Sequence, residues 1–332
     1  MKGSVRRLNG IVVIDKPEGI ASYDVVRRLK GLLSGVKIGF LGTLDPLATG
    51  VLPLLLGEGT KLAPFLEVGR KVYEASLLLG VVTDTQDREG KVLQAVNLAA
   101  FDLSPQRIEG VIDRFRGRIM QQPPMFSALK QQGEPLYKMA RRGEEVERLL
   151  REVEIYELRL TQIDPPSLDL HIECSRGTYI RTLAHDIGGE LGCGAHLTAL
   201  RRTRSGAFSL EDALPLAEVE VLLRQRRLKQ HLIPLAQAMG FLPAIELTEA
   251  DALQISHGQV IPVASTDQRT QQEGQVVRIV AENSGGLVAV GAIQRGKEGL
   301  ALRPLRVFHD AFTKSPLYDK NKNSTMVNQG GR

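Results

Sequence analysis

No apolar run in the 332-residue sequence approaches the roughly 20 residues that cross a bilayer, so a membrane-inserted protein is not expected. Cysteine is scarce. Cys174 and Cys193 lie 19 positions apart, outside any CxxC spacing, which argues against both a zinc site and a disulfide framework and leaves two reduced thiols. A nucleotide loop of the form GxxxxGK[ST] is missing; "GEGTK" at Gly57–Lys61 has the residue types without the spacing. The N-terminus is basic, but its apolar part, Ile11–Ile14, is interrupted at once by Asp15, Lys16 and Pro17, unlike a signal peptide. The expected compartment is the cytoplasm.

What remains describes a soluble globular chain, with 42% hydrophobic and 24% charged residues and enough length for one large domain plus a smaller one. A formal charge of +5 and a pI near 9.2 favour a polyanionic partner such as nucleic acid. The excess is concentrated: Arg114–Arg151 carries nine Lys/Arg against four Glu. Within that region, Met120–Leu150 is rich in Pro, Gly, Gln and positive charge, and reads as an exposed insertion.

The chain opens strand, turn, helix, with "GIVVI", "DKPEG" and "SYDVVRRLKGLL", and Ser22 is the expected N-cap. "GVLPLLLG" reads as a buried strand in which Pro53 implies an edge or a bulge. "KVYEASLLLGVVT" and "KVLQAV" look like a strand pair, "SPQRIEGVIDRFRG" a helix, "EVEIYELRLTQI" and "SLDLHIECS" two further strands, and "TYIRTLAHDIGGEL" a helix. "LTALRRTRSGAF" reads as a last strand of the large domain. From Phe241 onward, short β-rich pieces with glycine turns suggest a small barrel, and residues 313–332 have too little apolar content to pack.

One acid stands apart from any other. In "GFLGTLDPLATG", Asp45 has no second acid, histidine or cysteine beside it. Phosphate binding by glycine amides lacks the spacing. An aspartyl-phosphate nucleophile lacks the DxD-type acids that would hold magnesium. A lone aspartate attacking an electrophilic carbon needs only a cation to hold it. From the loop alone, this reading and a simple Asp-Pro turn are equally supported.

Further residues decide between them. "GTLDPLATGVLPLLLGEGTK" resembles the catalytic motif of the bacterial tRNA pseudouridine-55 synthases, the TruB family. "IDKPEGIASYDVV", "KVYEASLLLGVVTDTQDREG", "QQPPMFSALKQQGEPLYKMARRG", "CSRGTYIRTLAHDIGGELGCGAHLTALRRTRSGAF" and "LTEADALQISHGQVI" are similar to that family in order, over nearly the whole chain except the tail. The resemblance implies an α+β pseudouridine-synthase fold: a mixed, largely antiparallel central sheet flanked by helices over residues 1–237, with an RNA-clamping insertion at about 120–150. It also implies a PUA-like barrel over 238–312.

It implies Asp45 as the nucleophile that lets a uridine detach, rotate and rejoin its ribose through C5, with no cofactor and no metal. Tyr73 matches the tyrosine that stacks on the flipped base and moves the C5 proton. Arg181 matches the arginine that pairs with the aspartate. Tyr179 and Leu200 match pocket-lining positions, Asp87 a polar position nearby, and Lys16 falls in the first similar stretch and is expected on the substrate side. Where the family carries histidine in His-x-Gly-x-Leu-Asp, this chain has Phe40, which can stack or wedge but cannot donate a hydrogen bond.

A uridine inside a folded T-arm must be extruded, so aromatic and apolar surfaces have to replace its stacking. Phosphate contacts are expected from the insertion, from "RRTR" including Arg201 and Arg202, and from "RQRRLK" at Arg224–Lys229. The expected partner is the T-arm stem-loop of tRNA, bound by a monomer. Two other readings stay open: a non-catalytic RNA-folding protein on the same scaffold, and the same chemistry on another RNA. Whether the aspartate attacks C6 of the base or C1′ of the ribose is not written in the sequence.

Overall fold

The computed structural model describes residues 8–263, 272–296 and 299–309; the expectation for 313–332 falls outside them. The first half carries β1 (Gly10–Lys16), α1 (Ser22–Leu32), β2 (Ile38–Phe40), β3 (Thr49–Leu56), α2 (Ala63–Leu66), β4 (Lys71–Leu79), β5 (Val81–Thr83), β6 (Val92–Ala95), α3 (Pro105–Asp113) and β7 (Gly117–Gln121). The insertion folds as a short hairpin, β8 (Lys130–Gln131) and β9 (Glu134–Pro135), followed by α4 (Leu136–Arg141). Then come β10 (Arg151–Asp164), β11 (Ser167–Cys174), α5 (Ile180–Leu191), β12 (Ala195–Ser205), β13 (Phe208–Ser209), β14 (Ala213–Pro215), α6 (Leu216–Arg224) and α7 (Leu235–Ala238).

Ten of these strands make one sheet, ordered β14-β1-β3-β12-β4-β11-β10-β7, with β2 on β3 and β13 on β12. The pairs β1/β14 and β3/β12 are parallel and the other pairs antiparallel. The mixed, largely antiparallel sheet is the expected one. Strand patterning explains how it is covered. At β1 and β3 alternate residues enter two different cores: Val12, Ile14, Leu52 and Leu54 face the helix-covered side, whereas Ile11, Val13, Val51 and Leu55 face the other. Burial on both faces is why "GVLPLLLG" is apolar without alternation. Farther along, β4 buries Tyr73, Ala75 and Leu77 and turns Glu74 and Ser76 outward, the pattern of a strand covered on one side.

Two local expectations are corrected. Ser22 does not cap α1: the N-cap is Ala21, whose N–H is bonded by the Asp24 carboxylate at 3.2 Å. Pro53 lies inside the sheet, opposite Val13 of β1. Its other side falls where β12 leaves β3 and β2 takes over, and its carbonyl accepts Leu41 N–H at 3.0 Å. A residue without an N–H fits that handover.

The C-terminal part contains β15 (Ala244–Leu247), α8 (Glu249–Ser256), β16 (Ile261–Pro262), β17 (Val276–Ala281), β18 (Leu287–Gly296) and β19 (Gly299–Val307), a curled sheet ordered β15-β17-β18-β19-β16 around its own core. Its Val280, Leu287, Val290 and Phe308 join the second core of the large sheet with Leu235 and Met239. Lys61 closes the joint, donating to Val307 O at 3.1 Å and to Glu58 at 2.6 Å. Among the described residues no helix is long and apolar enough to cross a membrane, and both cysteines are buried free thiols.

Candidate active site

Asp45 sits in the loop between β2 and β3, and that loop is fastened from the N-terminal strand–turn–helix unit. Ser22, fully buried, both accepts Leu44 N–H at 2.8 Å and donates to Leu44 O at 3.1 Å. Lys16 is also fully buried and directs its ammonium at three carbonyls, Pro17 at 2.8 Å, Ile20 at 2.6 Å and Pro46 at 3.3 Å. Gly19 N–H adds a bond to Pro46 O, and Ala48 N–H closes the Asp45–Ala48 turn. The Asp-Pro turn and the exposed acid are therefore one feature. Burial lowers the Lys16 ammonium to about 8, opposed by the nearby Asp45 carboxylate.

Arg181, in the first turn of α5, is 4% exposed and is fully engaged. Its Nε donates to Asp45 Oδ2 at 2.9 Å and lies 3.6 Å from Asp87 Oδ2, while Nη1 donates to Thr85 O and Nη2 to Phe126 O, each at 2.8 Å. One guanidinium thus serves two carboxylates and two backbone carbonyls, the planar fork geometry that lysine cannot supply. Asp87 is buried and held by Thr85 Oγ1 at 2.6 Å and Glu89 N–H at 3.0 Å. Asp45 is different: its side chain is 36% exposed, and among the described residues Oδ1 accepts no hydrogen bond. The anchored carboxylate keeps a free oxygen.

Asp45 also lines a cavity of about 690 Å³, together with Phe40, Tyr73, Tyr179, Leu200 and Arg202, among others, a size in the range of small-molecule pockets. Tyr73 stands on β4 directly opposite Arg202 of β12, whose guanidinium lies close enough to influence the phenol. Burial pushes the Tyr73 phenol up, with Arg202 pulling against it. Tyr179 is clamped by Gln121, whose amide donates to Tyr179 O at 3.0 Å and accepts Tyr179 N–H at 2.7 Å. Phe40 is half-buried against the core.

The expected site residues Asp45, Tyr73, Arg181, Tyr179, Leu200, Phe40 and Asp87 converge on this region, and Arg202 lines the same cavity, whereas Arg201 and Lys16 are engaged elsewhere. Period-two alternation divides the "RRTR" run between two faces of the strand. Arg201 pairs with Asp15, at 2.8 and 3.1 Å, and contacts Thr49. Arg202 is 1% exposed, with Nε on Val51 O and Nη2 on Gly42 O. Lys16, buried on its three carbonyls, is withheld from a polyanion. By contrast Arg224, Arg226, Arg227 and Lys229 are exposed. Ser22 was expected only as a cap, and Gln121, Thr85 and Phe126 were not singled out from sequence. Their roles run through backbone groups of distant segments, which no local pattern reports.

Comparison with known proteins identifies the family. Three family models match successive parts of the chain: TruB family pseudouridylate synthase (N terminal domain) over residues 30–180, tRNA pseudouridylate synthase B C-terminal domain over 181–239, and pseudouridine synthase II TruB, C-terminal, over 243–308. The tRNA pseudouridine synthase B of Geobacter sulfurreducens is 45% identical over 91% of this chain and 100% of its own length. That of Syntrophomonas wolfei is 41% identical over 91% and 99%. Among solved structures, a Cbf5–Nop10–Gar1 complex matches with a TM-score of 0.67 at 27% identity, over 92% of this chain and 85% of the other. The chain belongs to the TruB family of pseudouridylate synthases.

Proposed function

We propose that this TruB-family enzyme isomerises uridine-55 in the T-arm of tRNA to pseudouridine. The relatives' shared name supports tRNA as the substrate. The observation that carries the mechanism is the Asp45 carboxylate: one oxygen fixed by Arg181 at 2.9 Å, and the residue itself lining a cavity walled by Tyr73, Tyr179 and Leu200. The uridine swings out of the stack and lies against Tyr73, its lost stacking offset by aromatic and apolar surface. Asp45 attacks at C6 or at C1′, the N1–C1′ bond breaks, the base turns, C5 bonds to C1′, and the bond to Asp45 breaks to restore the carboxylate. The C5 proton then leaves, with the Tyr73 hydroxyl placed to relay it toward solvent, its own proton departing as that one arrives, and N1 takes up a proton. The reaction is an isomerisation without net oxidation, so these residues supply its chemistry without a cofactor.

Residues 1–237 form the catalytic unit in this reading, and 238–312 a PUA-like RNA-binding unit. The insertion closes over bound RNA; its Phe126 carbonyl on Arg181 ties that closure to the anchor of the nucleophile. Incubating a T-arm stem-loop with the protein and with Asp45→Asn, then assaying pseudouridine at the position of uridine-55, tests the proposal. Product from the wild type alone is expected. Product from Asp45→Asn would overturn the mechanism, and binding without any product would favour an RNA-folding role.

A further inference from the structure

The strand that carries Tyr73 begins with Lys71, and a period of two places both on the same face. A lysine at a strand end ordinarily extends into water. Here Lys71 is 7% exposed, lines the cavity, and makes one hydrogen bond, to Gly69 O at 3.2 Å, leaving donor capacity unused. Arg202 lies beside it, 1% exposed, with two carbonyls as hydrogen-bond partners and the Tyr73 side chain close by.

Among the described residues no carboxylate comes within ion-pair distance of either cation. The charged and titratable groups around Lys71 are Arg202, Cys174, Glu67 and Arg176. Burial, reinforced by Arg202, lowers its ammonium to about 8. Two neighbouring buried cations without an anion are costly, and the cost is relieved by an anion entering from the cavity. Both cations reach the same turn of the Asp45 loop: at Gly42, φ +63°, a Cβ would stand 3.0 Å from Arg202 Nη1 and 3.8 Å from Lys71 Cε, so only glycine lets them come together there.

The geometry points to a phosphate subsite, Lys71 with Arg202 behind it and Gly42 between them, that holds one phosphodiester flanking the nucleotide drawn into the cavity. This rests on the reading that the cavity receives a uridine of RNA. With the base on Tyr73 and its ribose at Asp45, three residues beyond Gly42, the flanking phosphates lie about one sugar's width from the reacting atoms. An ammonium is well suited to meet one of them as a point charge.

The test uses the full-length protein and a T-arm stem-loop. One methylphosphonate, which removes the phosphate charge, is placed either 5′ or 3′ of the target uridine, and wild type is compared with Lys71→Met and Lys71→Arg. Lys71→Met raises KM about 10- to 100-fold, the range for a charge-assisted hydrogen bond, with kcat within about twofold, and Lys71→Arg recovers most of the loss. At one of the two positions the methylphosphonate raises the wild-type KM equally and adds nothing in Lys71→Met. The slope of log(kcat/KM) against log salt falls by about 0.7.

An unchanged KM in Lys71→Met, losses that multiply at both positions, or a loss in kcat alone would each overturn the subsite; the last would assign the cations to the detached base. The methylphosphonate arm uses wild-type protein and so does not depend on how the variants fold. Wild type that forms no pseudouridine defeats the functional reading, whereas wild type that forms it while Lys71→Met is indistinguishable defeats the subsite alone.

Discussion

Replacing Ser22 by alanine removes one hydroxyl and strands two backbone groups. Leu44 is 3% exposed, and its N–H and C=O both use Ser22 Oγ, at 2.8 and 3.1 Å. A buried polar group left without a partner costs about 1–3 kcal/mol, so the two together cost about 2–6 kcal/mol. Partial relaxation of the loop should leave about 2–4 kcal/mol. Where this cost falls is decided by the other fastenings. Lys16, Gly19 and the Asp45–Ala48 turn still hold the loop beyond Pro46, so the weakened point is Leu44, the residue before Asp45. If the loop alone absorbs the cost, the ratio of molecules with Asp45 in place to those with it displaced drops by about 30- to 1,000-fold, and kcat falls with the fraction left in place, with little change in KM. If the whole fold absorbs it, the urea unfolding midpoint falls instead. Measuring kcat at saturating T-arm RNA together with urea unfolding captures both. Ser22→Ala with wild-type kcat and a stability within about 0.5 kcal/mol, the spread of ordinary surface substitutions, would refute the claim that this hydroxyl fixes the Asp45 loop.

Gly50→Ala should prevent productive folding. Gly50 has φ +98°, and a Cβ there would lie 2.2 Å from Arg202 O across the β3/β12 pair; soluble expression or a thermal melt shows the loss. Phe40→Ala should lower kcat/KM by about 5- to 150-fold if Phe40 wedges or stacks against the extruded nucleotide, the worth of one base–aromatic stack. Turnover of T-arm RNA at the wild-type rate would end that idea. Lys16 and Lys71 ionise near 8 in the fold against 10.5 when free. Between those values the unfolded chain binds more protons, so stability rises with pH from about 8 toward 10, by at most ~1.4 kcal/mol per unit per lysine. Below 8 these two groups contribute no slope. Above about 10 the phenols of Tyr73 and Tyr179, pushed up by burial, reverse the trend. Urea midpoints at pH 7, 8.5 and 9.5 follow the rise, and a midpoint that falls between 8.5 and 9.5 contradicts it.

Much of the fold is legible along the chain because its causes are local. The helix at Pro105–Asp113 starts where "SP" supplies an N-cap, Ser104 Oγ accepting Arg107 N–H at 3.4 Å, and a proline at the first turn. The strands at Arg151–Asp164 and Ser167–Cys174 follow the alternation of "SLDLHIEC" and pair as neighbours in sequence. Ser22 and Pro53 were misread for one reason. Propensity treats a hydroxyl before a helix as a cap and a proline in a strand as an edge. Neither rule knows of a partner 22 residues away at Leu44, or of two strands exchanging places beside Pro53.

The same division runs through the candidate site. The identities of Asp45, Tyr73 and Arg181 and the basic character of the chain are properties of the sequence alone, since residue types and spacing determine which chemistry is available. The tertiary structure decided which charges are usable. It placed Arg181 on Asp45 across 136 positions and spent Lys16 on three carbonyls. It sent Arg201 and Arg202 to opposite faces of one strand, and it left Lys71 buried beside a cavity with no carboxylate at ion-pair distance among the described residues. A charge in a sequence has no fixed strength. Its desolvation and its partners are supplied by segments far away in the chain, and only folding brings those together.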